Sequence, residues 1–208
     1  MKPEPKRKAM PPEERKRLIL DAALIVFVEK GFASARIEDI ARRAGVGKGT
    51  VYLHFPDKES LFRALVSADL GPVIEGARQL VFGSDMPSRA LLDALYAKLE
   101  QDVLNTTKSD LLRLMITELS AFPSVTKQYY HDLVGPGLDL IRTILERAES
   151  RGELRSRAVL AVPQIVIAPA VMTVLWNILF SRFATFETRA AFDFYLDALF
   201  VSPEGETA

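Results

Sequence analysis

Residues 37–62, IEDIARRAGVGKGTVYLHFPDKESLF, constrain the fold of this chain more than any other stretch. Ile37, Ile40, Ala41 and Ala44 recur at helical spacing and mark one apolar face. Ala41 is small enough to let a second helix approach closely. Gly45 falls where that helix must stop and the backbone must pass through positive φ. Val46 and Val51 then turn back inward, which leaves Lys48, Gly49, Thr50, Tyr52 and His54 projecting outward. A helix, a glycine turn and a short second helix of this kind form a helix-turn-helix, whose second helix enters the DNA major groove. The stretch predicts a DNA-binding head.

The flanks complete that head. Pro12, Glu13 and Glu14 suit a first helical turn, with proline pre-set and acids at the positive helix end. A helix follows to about Lys30 with Ile19, Ala22, Ala23, Val26 and Phe27 facing the core, and Gly31 ends it. The next helices are expected over 37–44 and 48–53. Pro56 and Asp57 break the chain before a fourth helix, which Asp57 caps and from which Leu61, Phe62 and Leu65 pack inward. Residues 1–11 read as a disordered basic tail. Gly71-Pro72 marks the end of the head or a bend into the body, which gives a DNA-binding domain over 12–70 and a second domain over 71–202.

The body reads as helix throughout, so the fold class is all-α. No Val/Ile/Thr alternation bounded by hairpin turns occurs. Helices are expected over 73–81, 88–107, 109–120, 124–151, 163–183 and 185–200. Gly135-Pro136-Gly137 is placed to kink or divide the long helix, and Pro169 to bend the next. Residues 159–180 are long enough to cross a bilayer, but Gln164, Asn177 and two prolines favour a helix buried between protein neighbours, and no membrane span is expected.

Charge divides the chain in the same place. Residues 1–70 carry 14 Lys/Arg against 10 Asp/Glu, and residues 71–208 carry 13 against 17. A cationic head on an acidic body fits a polyanion-binding part joined to a part with a different task. The chain has no cysteine, which excludes disulfides, thiolate metal sites and a cysteine nucleophile. Its two histidines, His54 and His131, are too few for a histidine-rich metal site, and neither metal nor cofactor is expected. No secretory h-region follows the charged start, so the expected location is cytoplasmic.

The residues Gly31-Phe32, Ile37, Ile40-Ala41, Ala44-Gly45-Val46, Lys48-Gly49-Thr50-Val51-Tyr52, His54-Phe55 and Lys58-Glu59-Ser60-Leu61 resemble the TetR/AcrR family of transcriptional regulators. The resemblance covers about the first third of the chain. It implies a homodimer on a palindromic operator in double-stranded DNA, each head laying its short helix in one major groove. Lys48 is the candidate for guanine O6 and N7, the Thr50 methyl suits a thymine methyl, and Gly49 permits close approach. Tyr52, through its hydroxyl with the ring packed, and His54 suit phosphate, as the matching family positions do. Lys58 suits a phosphate beside the free N–H groups of its helix. One of Arg42 and Arg43 is expected on phosphate and the other in solvent; Arg43 is the one assigned. Gly47 stands where the family usually has a capping serine or threonine. Arg36 stands where a threonine commonly begins the helix, and there it makes a longer phosphate contact or moves the capping task to Ser34.

For the body the resemblance implies a small, largely apolar effector that shifts the spacing of two heads and releases a repressor from its operator. Met115, Leu119, Phe122, Tyr129, Met172, Trp176 and Phe180 are the candidate lining residues, with plain core as the competing reading. The last two helices are the dimerisation candidate, because Phe183, Phe186, Phe192, Phe194, Tyr195, Leu199 and Phe200 are too many rings and chains to leave wet. Two other classes stand beside this reading. One is a DNA-binding architectural protein without a ligand. The other is a helical enzyme using Glu100, Asp102 or Glu118 with His131, which no motif ties together, so no enzymatic activity is expected.

Overall fold

The computed structural model of the protein describes residues 10–201, and the expected basic tail lies outside them except for its last two positions. The described residues fall into two compact units, one ending at Leu65 and the other beginning at Val66.

The first unit holds α1 (Pro12–Ser34), α2 (Ile37–Ala44), α3 (Lys48–His54) and the start of α4 (Lys58–Phe82). Gly31 breaks α1 at φ 78 and ψ 156, as expected, but one further turn follows it. Ile19, Ala23, Val26 and Phe27 of α1 meet Ile40, Val51, Leu61 and Phe62 in a closed core. Its centre is aromatic. The rings of Phe27, Phe32 and Phe62 lie 5.2–5.7 Å apart, with Phe62 edge-on to both others.

Gly45 takes φ 66 and ψ 28 at the end of α2, where a side chain would be strained. The Val46 N–H reaches back to the Ala41 carbonyl at 3.0 Å, so the turn closes with the helix end satisfied. At the start of α4 the Ser60 N–H donates to Asp57 Oδ1 at 2.6 Å while the Asp57 N–H donates to Ser60 Oγ at 3.2 Å. This reciprocal arrangement is the expected Asp57 cap. The Ser60 N–H holds the Asp57 carboxyl below its usual range.

Gly71-Pro72 neither ends nor visibly divides α4, which runs unbroken to Phe82. Pro72 lies on the exposed face, so its missing N–H costs a ladder bond at the surface rather than in the core.

The second unit holds the rest of α4 with α5 (Ser88–Leu99), α6 (Lys108–Glu118), α7 (Pro123–Tyr129), α8 (Gly135–Ser150), α9 (Ala168–Phe180) and α10 (Thr188–Leu199). Every expected body helix is present, and most are shorter than their apolar patterns suggested. π-Helical turns at Glu100–Leu104 and Tyr130–Val134 continue α5 and α7. The second of these absorbs the missing donor of Pro136, dividing the run expected over 124–151. Pro163–Ile167 is a separate 3-10 turn, which places Pro169 in the first turn of α9, where no donor is required, rather than inside a bent helix. No strand forms among the described residues; only an isolated bridge joins Leu154 to Phe200.

Leu91, Leu92, Ile144, Leu145, Phe192, Leu196 and Phe200 make the body core. Tyr96 stacks on Phe192 at 3.9 Å and its hydroxyl donates to the Val166 carbonyl. Burial pushes the Tyr96 phenol up, which keeps it a neutral donor. Arg147 donates to the carbonyls of Val81 and Ser84 at 3.0 and 2.9 Å, tying α8 to the end of α4.

Pro163–Phe180 is long and apolar enough to cross a membrane, yet only 33% of it is buried. The expectation of a helix covered on most sides is therefore corrected. Val171, Met172, Leu179 and Phe180 of α9 are exposed.

Candidate nucleic-acid interface

α3 is a seven-residue helix with one inward side chain, Val51, which is wholly buried. At 100° per residue, Gly49 and Leu53 point most directly away from Val51, Tyr52 and Thr50 flank them, and Lys48 and His54 lie nearer the buried side. Leu53 is 86% exposed. No atom lies within 4 Å of the place a Cβ would take at Gly49, so the backbone there is bare. Phe55 is buried, as expected of a core residue, His54 is half-buried, and its ring stands 6.1 Å from the Phe55 ring. Thr50 is half-buried. Gly47 forms the N-cap in an extended conformation without a side-chain bond.

Tyr52 was expected to pack its ring. The ring instead lies on the surface, 44% of the residue being exposed, and the Lys48 ammonium stands 5.7 Å from its centre. Lys48 also forms an ion pair with Glu38 of α2. Through that contact the Glu38 carboxyl is held below the usual carboxylate range and the Lys48 ammonium is pushed up.

Arg42, Arg43 and Lys30 are engaged within the head. Arg43 grips both oxygens of Glu29 on α1 at 2.8 and 2.9 Å, and Arg42 pairs with Asp39. Arg42, the arginine expected in solvent, is exposed. Lys30 donates to Asp39 at 2.7 Å and holds that carboxyl down. Arg36 is exposed at the N-cap of α2 with no side-chain cap, so Ser34 does not take over the capping task.

Lys58 differs most from its expected place. Its ammonium donates to the carbonyls of Phe32, Ala33 and Ala35 at 2.6, 2.8 and 3.1 Å, and lies 4.8 Å from the centre of the Phe32 ring. Three donors meet three acceptors where α1 ends. The side chain satisfies carbonyls that the helix terminus leaves open.

In the body, the expected effector residues are spread over different surroundings. Met115 and Leu119 are core; Phe122, Tyr129 and Trp176 are half-buried; Met172 and Phe180 are exposed. Burial pushes the Tyr129 phenol up. Trp176 donates its indole N–H to the Ala184 carbonyl at 3.0 Å and packs against Phe180 and Phe186. A cleft of about 130 Å³ opens between α6 and α9, lined by Leu104, Ser109, Asp110, Arg113, Thr173, Val174, Asn177 and Ile178. None of the seven expected residues lines it. Its lining falls at helical spacing, 109, 110 and 113 on α6 and 173, 174, 177 and 178 on α9, and that spacing does not by itself distinguish a cleft wall from core. No group of three His, Cys, Asp or Glu placed to hold a metal occurs among the described residues.

The family profile described as bacterial regulatory proteins, tetR family, matches residues 19–65, and that described as tetracyclin repressor-like, C-terminal domain, matches residues 87–182. The HTH-type transcriptional activator FasR of Mycolicibacterium smegmatis is 33% identical over 96 residues, 45% of this chain and 44% of FasR. The fatty acid metabolism regulator protein of Bacillus subtilis is 26% identical over 139 residues, 66% of this chain and 69% of that protein. The chain thus spans less than half the length of FasR. The crystal structure of the regulator FadR from Bacillus subtilis, in complex with stearoyl-CoA, shares the fold at a TM-score of 0.74 and 20% identity, covering 86% of this chain and 95% of that one. The head and most of the body are matched, each by its own profile, and the chain belongs to the TetR family of bacterial regulatory proteins.

Proposed function

We propose that this chain is a cytoplasmic, homodimeric transcriptional repressor that binds a palindromic operator and leaves it when its body takes up a small, largely apolar effector. One observation carries the DNA-binding part. α3 buries Val51 alone and leaves Lys48, Gly49, Tyr52 and Leu53 exposed, with the backbone open to close approach at Gly49. Such a surface suits a major groove, with phosphate contacts setting register and base edges setting sequence. The DNA-binding role belongs to the unit ending at Leu65, and effector binding and dimerisation to the unit that follows.

The dimer reading is supported by apolar exposure at the C-terminal end of the body. Phe183 is 84% and Phe194 is 69% exposed, beside Leu179, Phe180 and Met172. Large apolar side chains left exposed on two neighbouring helices and the turn after α9 favour a self-complementary interface. Phe192 and Phe200 leave the expected interface set, since both are buried inside their own protomer.

The effector reading is supported by the stearoyl-CoA held by FadR and by the triclosan bound to SmeT, both of which have large apolar parts and share this fold. An effector acts only through a difference in affinity between the operator-bound and released states. Repression is the reading chosen because occupying a promoter suffices to block it; FasR is named an activator, so the sign needs its own measurement.

Selection of bound fragments from random duplex DNA tests the proposal. The expected result is a palindrome with half-sites about one or more helical turns apart and binding by a dimer. A monomer with no sequence preference would sink it. Run-off transcription from a promoter carrying the selected sequence, with and without fatty acyl thioesters, then reads the sign and the effector class.

A further inference from the structure

The ion pair between Glu38 and Lys48 joins the two helices of the helix-turn-helix on its outward side. Glu38 is the second residue of α2 and lies off the buried face made by Ile37, Ile40, Ala41 and Ala44. Lys48 is the first residue of α3 and stands over the Tyr52 ring. Both side chains are about half exposed, so the pair adds little to folding. A carboxylate on a surface built for a polyanion is repelled by it, unless it accepts a hydrogen bond there.

The major groove offers such a donor. A G·C pair presents guanine O6 and N7 as acceptors and the cytosine N4 amine as a donor. O6 and N4 are themselves hydrogen-bonded to each other, at about 2.9 Å. The Lys48 ammonium and the Glu38 carboxylate are also hydrogen-bonded to each other, donor beside acceptor. Laid edge to edge, the two pairs match atom for atom. The ammonium donates to O6 and N7, and the carboxylate accepts from N4. A T·A pair offers the same order through O4 and N6, but a methyl group replaces the N7 acceptor, so guanine is preferred.

We propose that Glu38 and Lys48 act as one unit that reads a single G·C base pair in each half-site, with guanine under Lys48 and cytosine under Glu38. This rests on the DNA-binding reading above. The pair arrives already aligned and nearly neutral, so Glu38 serves as a specificity-determining residue rather than a source of repulsion.

The test is selection from random duplex DNA with the full chain, as wild type, Glu38→Ala, Lys48→Ala and both together, each checked for an unchanged helical spectrum. The expected result is that both single variants lose preference at the same G·C position, by about tenfold, and at no other. The double variant is no worse than either single one, because each change removes the same contact. Glu38→Gln, which keeps an acceptor oxygen, retains part of the preference. Replacing that guanine by 7-deazaguanine weakens the wild type and leaves Lys48→Ala unaffected. The inference is overturned if Glu38→Ala tightens binding to every sequence alike, relaxes a different position from Lys48→Ala, or changes nothing. A wild type that selects no sequence at all removes the regulator reading itself, an outcome distinct from those three.

Discussion

The head and the body are both helical, and each combines charged ties with apolar packing, around cores of different make-up. In the head, the helices are cross-tied by charged side chains: Arg43 to Glu29, Lys30 to Asp39, Lys48 to Glu38, and Lys58 to the open carbonyls at the end of α1. Their aromatic centre is three rings wide. In the body, helices pack through Leu, Ile and Phe, with Arg89 and Arg189 pairing with Asp197 and Asp93 between α5 and α10, and are broken by π and 3-10 turns where Pro136 and Pro163 fall. A head that must present one fixed surface gains from many orienting contacts. A body that needs volume and an interface tolerates many packings, provided the apolar total is kept.

That contrast breaks most sharply at its two aromatic centres. Phe62→Ala is expected to remove about 3–5 kcal/mol from the head, and Phe192→Ala a similar amount from the body. Scanning calorimetry is expected to show each change lowering a different part of the unfolding profile, with DNA binding lost in the first. A single transition lowered equally by both would mean that the two units unfold as one.

Next in size is Lys58→Ala. Leaving three carbonyls without their donor is expected to cost about 1–3 kcal/mol in a denaturant melt. The salt slope of DNA binding is expected to stay the same. A slope reduced by about one, with stability intact, would return Lys58 to the phosphate role its sequence position suggests.

Asp57→Ala is expected to cost about 1 kcal/mol near neutral pH through loss of the α4 cap. The folded carboxyl titrates below its ordinary value of 3.8, so its contribution is full above that value and is lost as the pH falls from there through the lower folded value. Stabilities of wild type and variant measured from pH 7 down to pH 2 are expected to converge. A constant gap would assign the loss to something other than the ionised cap.

The smallest expected effect on the folded protomer is that of Phe194→Ser, within about 0.5 kcal/mol, since the ring is mostly exposed. Its effect is expected in analytical ultracentrifugation, as a shift from dimer toward monomer. A dimer that survives this change and Phe183→Ser together would move the interface away from these rings.

Much of the head was legible because its rules are short in range. The apolar spacing of α2, the left-handed Gly45, the buried Val51 and the Asp57 cap each depend on residues within about one turn. The body was legible in its class and its breaks. The helix ends shifted, because proline sets where a ladder bond is missing but not whether a π turn, a 3-10 turn or a first helical turn absorbs the loss.

The order of helices and the outward placing of Lys48 and Gly49 thus follow from the chain alone, while the exposed Leu53 and the half-buried Thr50 and His54 do not. Folding in three dimensions settled the partners. Lys58 meets carbonyls some 25 residues earlier, and Arg43 meets an acid 14 residues earlier. Phe192 and Phe200 went inside while Phe183 and Phe194 stayed out. Periodicity fixes which side of a helix is apolar, but only the neighbouring helices decide how much of that side is covered, and by which copy of the chain.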